Sequence, residues 1–229
     1  MQHARHLGAA LLCAALCGPA AAQSYRVHVS ARADIYRAGQ PHPERNFGLG
    51  FPPAALTIPA GTQCIQVLKV IGHDSCASPE GCITIDDNEN EGTHYNDPDG
   101  AGAYPPTSSN TGTRSISGIT APYAGYLVGL FTPQGGPSGS APPALDFTTG
   151  KKTAFPHLAP QLDQTFFIGD GKTGDGTGRT QKFAVPANAA TLYLGISDAP
   201  GFNGAPGAYL DNRGFFKVIV HAGANACPG

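Results

Sequence analysis

The apolar residues of this chain fall in short runs that either alternate with polar residues or are rich in β-branched side chains. The runs cover residues 25–31, 64–71, 82–85, 126–131, 165–168, 182–185, 191–196 and 215–221, and each is bounded by Gly, Pro, Asn or Asp. Such runs are typical of β-strands separated by turns. Long stretches with helical periodicity are missing after residue 22. The sequence therefore predicts an all-β fold, an antiparallel β-sandwich that is most simply a jelly roll.

Glycine and proline are abundant, with 31 Gly and 21 Pro in 229 residues. Short strands joined by long loops account for this composition better than disorder does. Two segments, 86–115 and 132–149, are acidic or rich in Gly, Pro, Ser and Thr, and we predict that both are loop insertions on the β-frame. Loops of this length inside a domain are usually functional or mobile.

The first 22 residues have the features of a secretory signal peptide. Arg5 precedes an apolar stretch, and the small residues Ala20, Ala21 and Ala22 stand before Gln23. The apolar stretch is too short to cross a membrane, and no later segment is long and apolar enough to do so. We therefore predict a secreted or periplasmic protein in which residues 23–229 form a single β-sandwich domain of a carbohydrate-binding type.

Cysteines remain after residue 22 at Cys64, Cys76, Cys82 and Cys227. An even number of cysteines in an exported protein predicts two disulfides, for which sequence alone leaves three pairings open. We favour Cys76 with Cys82, which would close a short loop, and Cys64 with Cys227, which would tie the end of the chain to an early strand. The C-x-x-C pairs typical of zinc sites are missing.

Charge and motif content exclude several classes of function. The net charge is −2 and charged residues make up 13% of the chain, so no overall basic field predicts a nucleic acid or an anionic membrane as partner. The histidines lack metal-binding spacing, and a G-x-S-x-G nucleophile motif is missing. We predict a protein that is not an enzyme. A glycoside hydrolase is the less favoured alternative, because paired carboxylates cannot be identified from spacing alone.

The segment 192–220 gives the strongest indication of a ligand site. A strand-like run ends at Asp198, a loop rich in Gly and Pro follows, and Asp211 and Asn212 precede the last strand-like run. Calcium takes six to eight oxygen ligands, which carboxylates, amides and free backbone carbonyls can supply. The segment therefore predicts a Ca²⁺ site. The alternative is a polar hairpin loop, since Asp, Asn and Gly are also the usual turn residues.

Matching pieces along most of residues 23–229 connect this chain with a known family. In order they are 27–29 to 38–40, 56–61 leading into 65–72, 127–129, 183–188, 192–198 and 211–220. Taken together, they resemble the galactophilic, calcium-dependent lectins of bacteria. The resemblance implies a jelly-roll sugar binder in which two vicinal hydroxyls of the sugar complete the coordination shell of one calcium ion.

The resemblance also implies roles for particular residues. Side-chain ligands to calcium fall on Asp198, Asp211 and Asn212, with backbone carbonyls from 201–207 and from a loop near 72–76. A second sugar-contacting loop falls on 97–100, which makes His94, Asp97 and Asp99 candidate sugar contacts. This loop departs from the family's pattern, so the preferred sugar is not specified.

Tyr209 is our candidate for an aromatic platform under a sugar ring, because the chain has no Trp. A loop anchor is the alternative role for this side chain.

Two further acidic stretches stand in the sequence. Residues 86–92 mimic part of an EF-hand loop, although a solvated acidic loop is the favoured interpretation, and residues 169–176 predict a hairpin turn.

These observations predict a secreted, calcium-dependent carbohydrate-binding protein. The competing hypothesis is a structural or adhesive extracellular protein of the same fold that binds protein or matrix. The sequence leaves both a monomer and a homo-oligomer open.

Overall fold

The structure, a computed structural model, describes residues 22–41, 50–76, 97–100, 107–150, 153–174, 177–225 and 227. Thirteen strands and two short 3₁₀ helices lie within these ranges. The strands are β1 (Gln23–Ser30), β2 (Ala54–Thr57), β3 (Cys64–Cys76), β4 (Ser108–Gly112), β5 (Ser117–Ala121), β6 (Leu127–Thr132), β7 (Leu145–Asp146), β8 (His157–Leu158), β9 (Thr165–Phe167), β10 (Lys182–Ala184), β11 (Thr191–Ile196), β12 (Asn203–Gly204) and β13 (Asn212–Gly223). The 3₁₀ helices are η1 (Ile35–Arg37) and η2 (Pro200–Phe202).

The strands form three sheets. A five-stranded sheet has the order β1-β13-β3-β10-β8, and two four-stranded sheets have the orders β2-β11-β6-β9 and β12-β4-β5-β7. Most neighbouring strands are antiparallel. The predicted all-β sandwich fold is therefore confirmed.

The core lies between the five-stranded sheet and the β2-β11-β6-β9 sheet, whose buried side chains belong to one apolar cluster. Alternation along β13 shows how the sequence builds it, because Phe216, Val218 and Val220 are buried while Phe215 and Lys217 are exposed. Aromatic rings join the layers. The centroids of Phe166 on β9 and Phe183 on β10 are 5.1 Å apart.

All of the predicted strand-like runs contain a strand except 82–85, which lies outside the described residues. Each of the two segments predicted as loop insertions contains a β-strand, which their composition did not indicate. β4 lies in the first insertion and β7 in the second, and both join the third sheet with β5 and β12. Sequence reasoning missed β4 because its residues are polar. It is held by pairing with β5 and by the buried side chains of Ser108 and Asn110.

One predicted disulfide is confirmed, since Cys64 and Cys227 are bonded across a sequence separation of 163 residues. The bond joins the start of β3 to the segment that follows β13. The predicted Cys76–Cys82 bond lies outside the residues whose side chains are described.

Over the described part of the chain, no helix is long and apolar enough to cross a membrane. Most of the predicted signal peptide falls outside the described residues.

We expect the Cys64–Cys227 bond to dominate the contribution of disulfides to stability. In the chain-entropy model, closing a loop of 163 residues stabilises the folded state by about 5 kcal/mol, whereas a loop of the length between Cys76 and Cys82 gives about 2 kcal/mol. The Cys64→Ala/Cys227→Ala variant should therefore lower the free energy of unfolding more than the matched Cys76→Ala/Cys82→Ala variant. Chemical denaturation measures both, and an equal or reversed order would contradict the prediction.

Candidate functional site

The candidate site lies where β11 ends and β13 begins. The chain leaves β11 through Ser197 and Asp198, makes the loop 199–211, and enters β13 at Asn212. The side chains at the two ends of this loop meet, because Asn212 Nδ2 donates a hydrogen bond of 3.0 Å to Asp198 Oδ2. Asp198 and Asn212, both predicted as calcium ligands, are therefore in direct contact.

Asp198 is a partly buried carboxylate in a network of donors. Its Oδ1 accepts from the backbone N–H of Ala199 at 2.8 Å, and its Oδ2 accepts from Asn212. Burial raises the pKa of Asp198 to about 7, against the lowering effect of these two hydrogen bonds, and the negative charges of Asp211 and Asp34 raise it further. Burial of the Asp198 carboxylate therefore outweighs its two hydrogen bonds, and the neighbouring carboxylates add to the effect of burial.

Asp211, the third predicted ligand, brings a carboxylate close enough to Asp198 to raise that residue's pKa. The Asp211 side chain is half-buried, and its Oδ1 is fully buried with no hydrogen-bond partner. Leaving a buried carboxylate oxygen without a partner is costly unless a donor or a cation meets it.

Asn212 is buried and has a structural role of its own. Its Nδ2 donates to the carbonyl of Ala31 at 3.1 Å as well as to Asp198, and its backbone carbonyl accepts from Arg32 Nε and Arg213 Nη1, both at 3.0 Å. The amide therefore presents nitrogen to Asp198, and as a metal ligand it would have to turn its oxygen inward. Both guanidinium groups contact the Asn212 carbonyl.

The loop between the two ends is fixed on the third sheet. The carbonyl of Asp198 accepts from Asn110 Nδ2 at 2.8 Å and from Gly207 N at 3.1 Å, and β12 pairs with β4 in parallel. Gly201 and Phe202 adopt positive φ angles of 63° and 64°, which turn the chain sharply within η2. Within 201–207, where the resemblance implies carbonyl ligands, the carbonyl of Gly201 accepts from Asn203 Nδ2 at 3.3 Å and that of Gly204 from Thr111 Oγ1 at 3.2 Å.

Tyr209 is fully buried, so its ring has no exposed face on which a sugar could stack. Its hydroxyl donates to the carbonyl of Ile196 and accepts from the N–H of Asp198, both at 3.0 Å. The structure thus gives Tyr209 the anchoring role that was the alternative to a sugar platform. It fixes the backbone of Asp198.

Asp34 is a buried carboxylate near the site that sequence reasoning missed. It is 2% exposed and precedes η1, where its Oδ1 accepts from the N–H of Tyr36 at 2.9 Å. Burial raises the pKa of Asp34 to about 7, although the hydrogen bonds with Tyr36 and Tyr209 lower it. Asp34 caps this turn, but a turn of three residues leaves no pattern in the sequence from which Asp34 could have been found.

The second predicted sugar loop is only partly described. Asp97 is exposed, and its Oδ1 accepts from Asp99 N at 2.8 Å, which makes a tight turn. Asp99 Oδ1 accepts from Asp170 N at 3.0 Å, which ties this turn to the turn after β9. His94 and the EF-hand-like stretch 86–92 lie outside the described residues.

Residues 72–76, predicted to form a loop that offers carbonyls to calcium, are the end of β3 instead. In the antiparallel register Asn212 is opposite Cys76, and Gly214 is opposite Asp74. The backbone of this segment therefore lies beside the start of β13 as a paired strand.

Lys172, within the segment 169–176, forms an antiparallel bridge with Thr180, which fits the predicted hairpin turn.

A small surface depression without room for a water molecule lies beside Asp198. Its lining is Ser108, Asn110, Ala124, Ser197, Asp198, Ala199 and Phe202. Asp198 is the only charged residue in this lining, which contains both polar and apolar side chains. Within the described ranges, no group of three or more His, Cys, Asp or Glu side chains is placed to hold a metal ion. A cation here would depend on two carboxylates and on neutral oxygens.

Comparisons with known proteins add no relative to this picture: no protein-family model matches the chain, and neither the curated proteins nor the solved structures include a significant match.

The buried Asp34 predicts a pH dependence of stability. Its pKa rises from 3.8 in the unfolded chain to about 7 in the folded one, so its stabilising effect is complete below pH 3.8 and is lost as the pH rises through 7. Asp34→Asn keeps the oxygen that accepts from Tyr36 and removes the charge. In chelator, this variant should lose less stability than the wild type between pH 4 and 8, by an amount on the order of 4 kcal/mol.

Denaturant unfolding across this pH range measures the effect. Asp146→Asn is a suitable control, because Asp146 is exposed and its Oδ1 accepts from Thr148. This control should keep the wild-type decline between pH 4 and 8. A decline in Asp34→Asn as steep as that of the wild type would contradict a buried, neutral Asp34.

Proposed function

We propose that this chain is an exported, non-catalytic protein that binds carbohydrate through a calcium ion held at Asp198 and Asp211. The observation that carries the proposal is the buried Oδ1 of Asp211, which has no hydrogen-bond partner and belongs to a carboxylate that raises the pKa of Asp198. A divalent cation would satisfy this oxygen and offset the negative charge of both carboxylates.

The chemistry of the other donors supports a hard cation. Side-chain oxygens of Asp198 and Asp211, the amide of Asn212 and the backbone at the end of β3 lie around the start of β13. All are oxygen ligands of the kind that calcium prefers. Asn212 fits less well than the carboxylates, because turning its amide would take a donor away from Ala31. The carboxylates are therefore the ligands on which the proposal rests.

The chemistry of calcium supports a sugar as the ligand of this ion. Calcium that keeps exchangeable waters can replace them with two vicinal hydroxyls, and this needs no deep apolar pocket. The ion would supply the attraction, and the sugar would lie on the protein surface above the two carboxylates.

We expect calcium to stabilise the wild-type protein and Asp211→Asn to remove that effect. A ligand bound only by the folded state adds about 2.7 kcal/mol at a concentration of 100 times Kd. In chelator, however, Asp211→Asn should be at least as stable as the wild type, because it removes a negative charge from the neighbourhood of Asp198. Melting curves with calcium and with chelator show both effects.

The matched control is Asp99→Asn, which keeps an oxygen able to accept from Asp170 N and should respond to calcium as the wild type does. Asn212→Ala should destabilise the protein with or without calcium, since it breaks bonds to Ala31 and Asp198. A wild-type protein that melts identically in calcium and in chelator would disprove the ion site.

Sugar binding should depend on the same carboxylates. On a panel of neutral glycans, the wild type should bind in calcium and lose binding in chelator, and Asp211→Asn should not bind. Asp97→Ala and Asp99→Ala should change affinity by a peripheral hydrogen bond at most, about 0.5–1.5 kcal/mol each. The ion-centred mechanism is wrong if the Asp97 and Asp99 variants lose all binding while Asp211→Asn keeps it in chelator.

A further inference from the structure

The outer face of the five-stranded sheet is formed by the side chains of β1, β13 and β3 that point away from the core. Strand pairing fixes which residues share this face, because directly paired residues point to the same side of a sheet. His28, Lys217 and Ile71 form one row across the three strands, and Arg26, Ile219 and Lys69 form the next. We call this surface the outer face.

The outer face is rich in basic side chains. None of the basic side chains that β1, β13 and β3 place on this face is fully buried; they include Arg26, Lys69, Lys217, His28, His73 and His221. The three strands contain a single acidic residue, Asp74, which is 2% exposed and pairs with Gly214 on the inward side. The strands therefore contribute positive charge to this face and no negative charge.

Apolar side chains lie among these basic residues. Phe215 is 39% exposed and Ile71 is 50% exposed. The ring of Phe215 stacks on His28 with 4.6 Å between ring centroids, and Lys217 Nζ lies 5.4 Å from the centre of the same ring. A partly exposed aromatic ring with basic side chains beside it is suited to a ligand that offers both negative charge and an apolar face.

We propose that the outer face binds an anionic polysaccharide, such as a polymer of uronic acids. Neighbouring strands are about 4.8 Å apart, so Arg26 and Lys69, separated by one strand, lie about 10 Å from each other. This spacing suits successive charges of an extended polymer better than one small anion. The carboxylates would pair with the basic side chains, and a sugar ring would lie against Phe215.

Other partners fit this surface less well. A second copy of the chain would bring two positive faces together, which repel each other. A flat sheet does not enter the major groove of DNA as a helix or a two-stranded ribbon does. The predicted export of the chain also favours an extracellular polymer. The proposal is independent of the calcium site, because none of its residues belongs to that site.

The test is binding of purified protein to polygalacturonate in chelator, with dextran as the neutral polymer. Chelator keeps calcium from the Asp198 site, so a failure here is distinct from a failure of the calcium proposal. We expect binding to polygalacturonate alone, with affinity falling by roughly tenfold or more between 50 and 200 mM salt, because counterions are released on binding.

The affinities of substituted proteins show whether the outer face is the surface that binds the polymer. We expect binding to weaken at least tenfold in the triple variant Arg26→Gln/Lys69→Gln/Lys217→Gln. The control is Arg114→Gln/Lys172→Gln/Arg179→Gln, which removes the same number of charges at positions away from the outer face. The control should change the affinity less than twofold. Phe215→Ala should weaken binding to polygalacturonate and leave binding to inorganic polyphosphate unchanged. Melting curves confirm that each variant is folded.

Three results would overturn the proposal. Equal loss of binding in both triple variants would show that net charge, and not the outer face, attracts the polymer. Tighter binding to an oligonucleotide or to anionic phosphatidylglycerol vesicles than to polygalacturonate would assign the surface to another class of partner. Absence of binding to polygalacturonate at 50 mM salt would remove the proposal altogether.

Discussion

The rest of the structure depends on the insertion of β13 between β1 and β3. This pairing places the last long strand inside the five-stranded sheet, second in its order, and the residues of β13 then serve three different purposes. Its inward side chains fill the core, its outward side chains carry the outer face, and its first residue meets Asp198. A change in its register by one residue would exchange the core and the outer face.

Much of the fold could be predicted from the sequence because β-strand patterns are local. The alternation in β13 and the apolar runs of β6 and β11 mark strands without any knowledge of their partners. The strand β4 could not be found in this way. Its Ser, Asn and Thr side chains show no apolar alternation. The buried Ser108 and Asn110 bond to the carbonyls of Tyr123 and Asp198, and Asp198 is distant in sequence.

The candidate site, like the fold, could be predicted from the sequence only in part. The proximity of Asp198 and Asn212 could be predicted, since a loop joins two strands whose ends carry them. The burial of Tyr209 could not, because it depends on packing against residues from other parts of the chain, such as Gly50. Asp34 was equally invisible, and so was the outer face. A net charge of −2 says nothing of how charges are distributed, and strand pairing is what gathers the basic residues.

The position of β13 in the chain also bears on the order of folding. A ribosome makes β13 after all the other described strands, so the five-stranded sheet lacks the strand that joins β1 to β3 until β13 has been made. Before then β1 and β3 have no partner in common, and Cys64 has no Cys227 with which to bond. Pairing over such a long sequence separation is slow. The nascent chain should therefore stay open until β13 emerges, with β1 and β3 unpaired along the edges that β13 later joins.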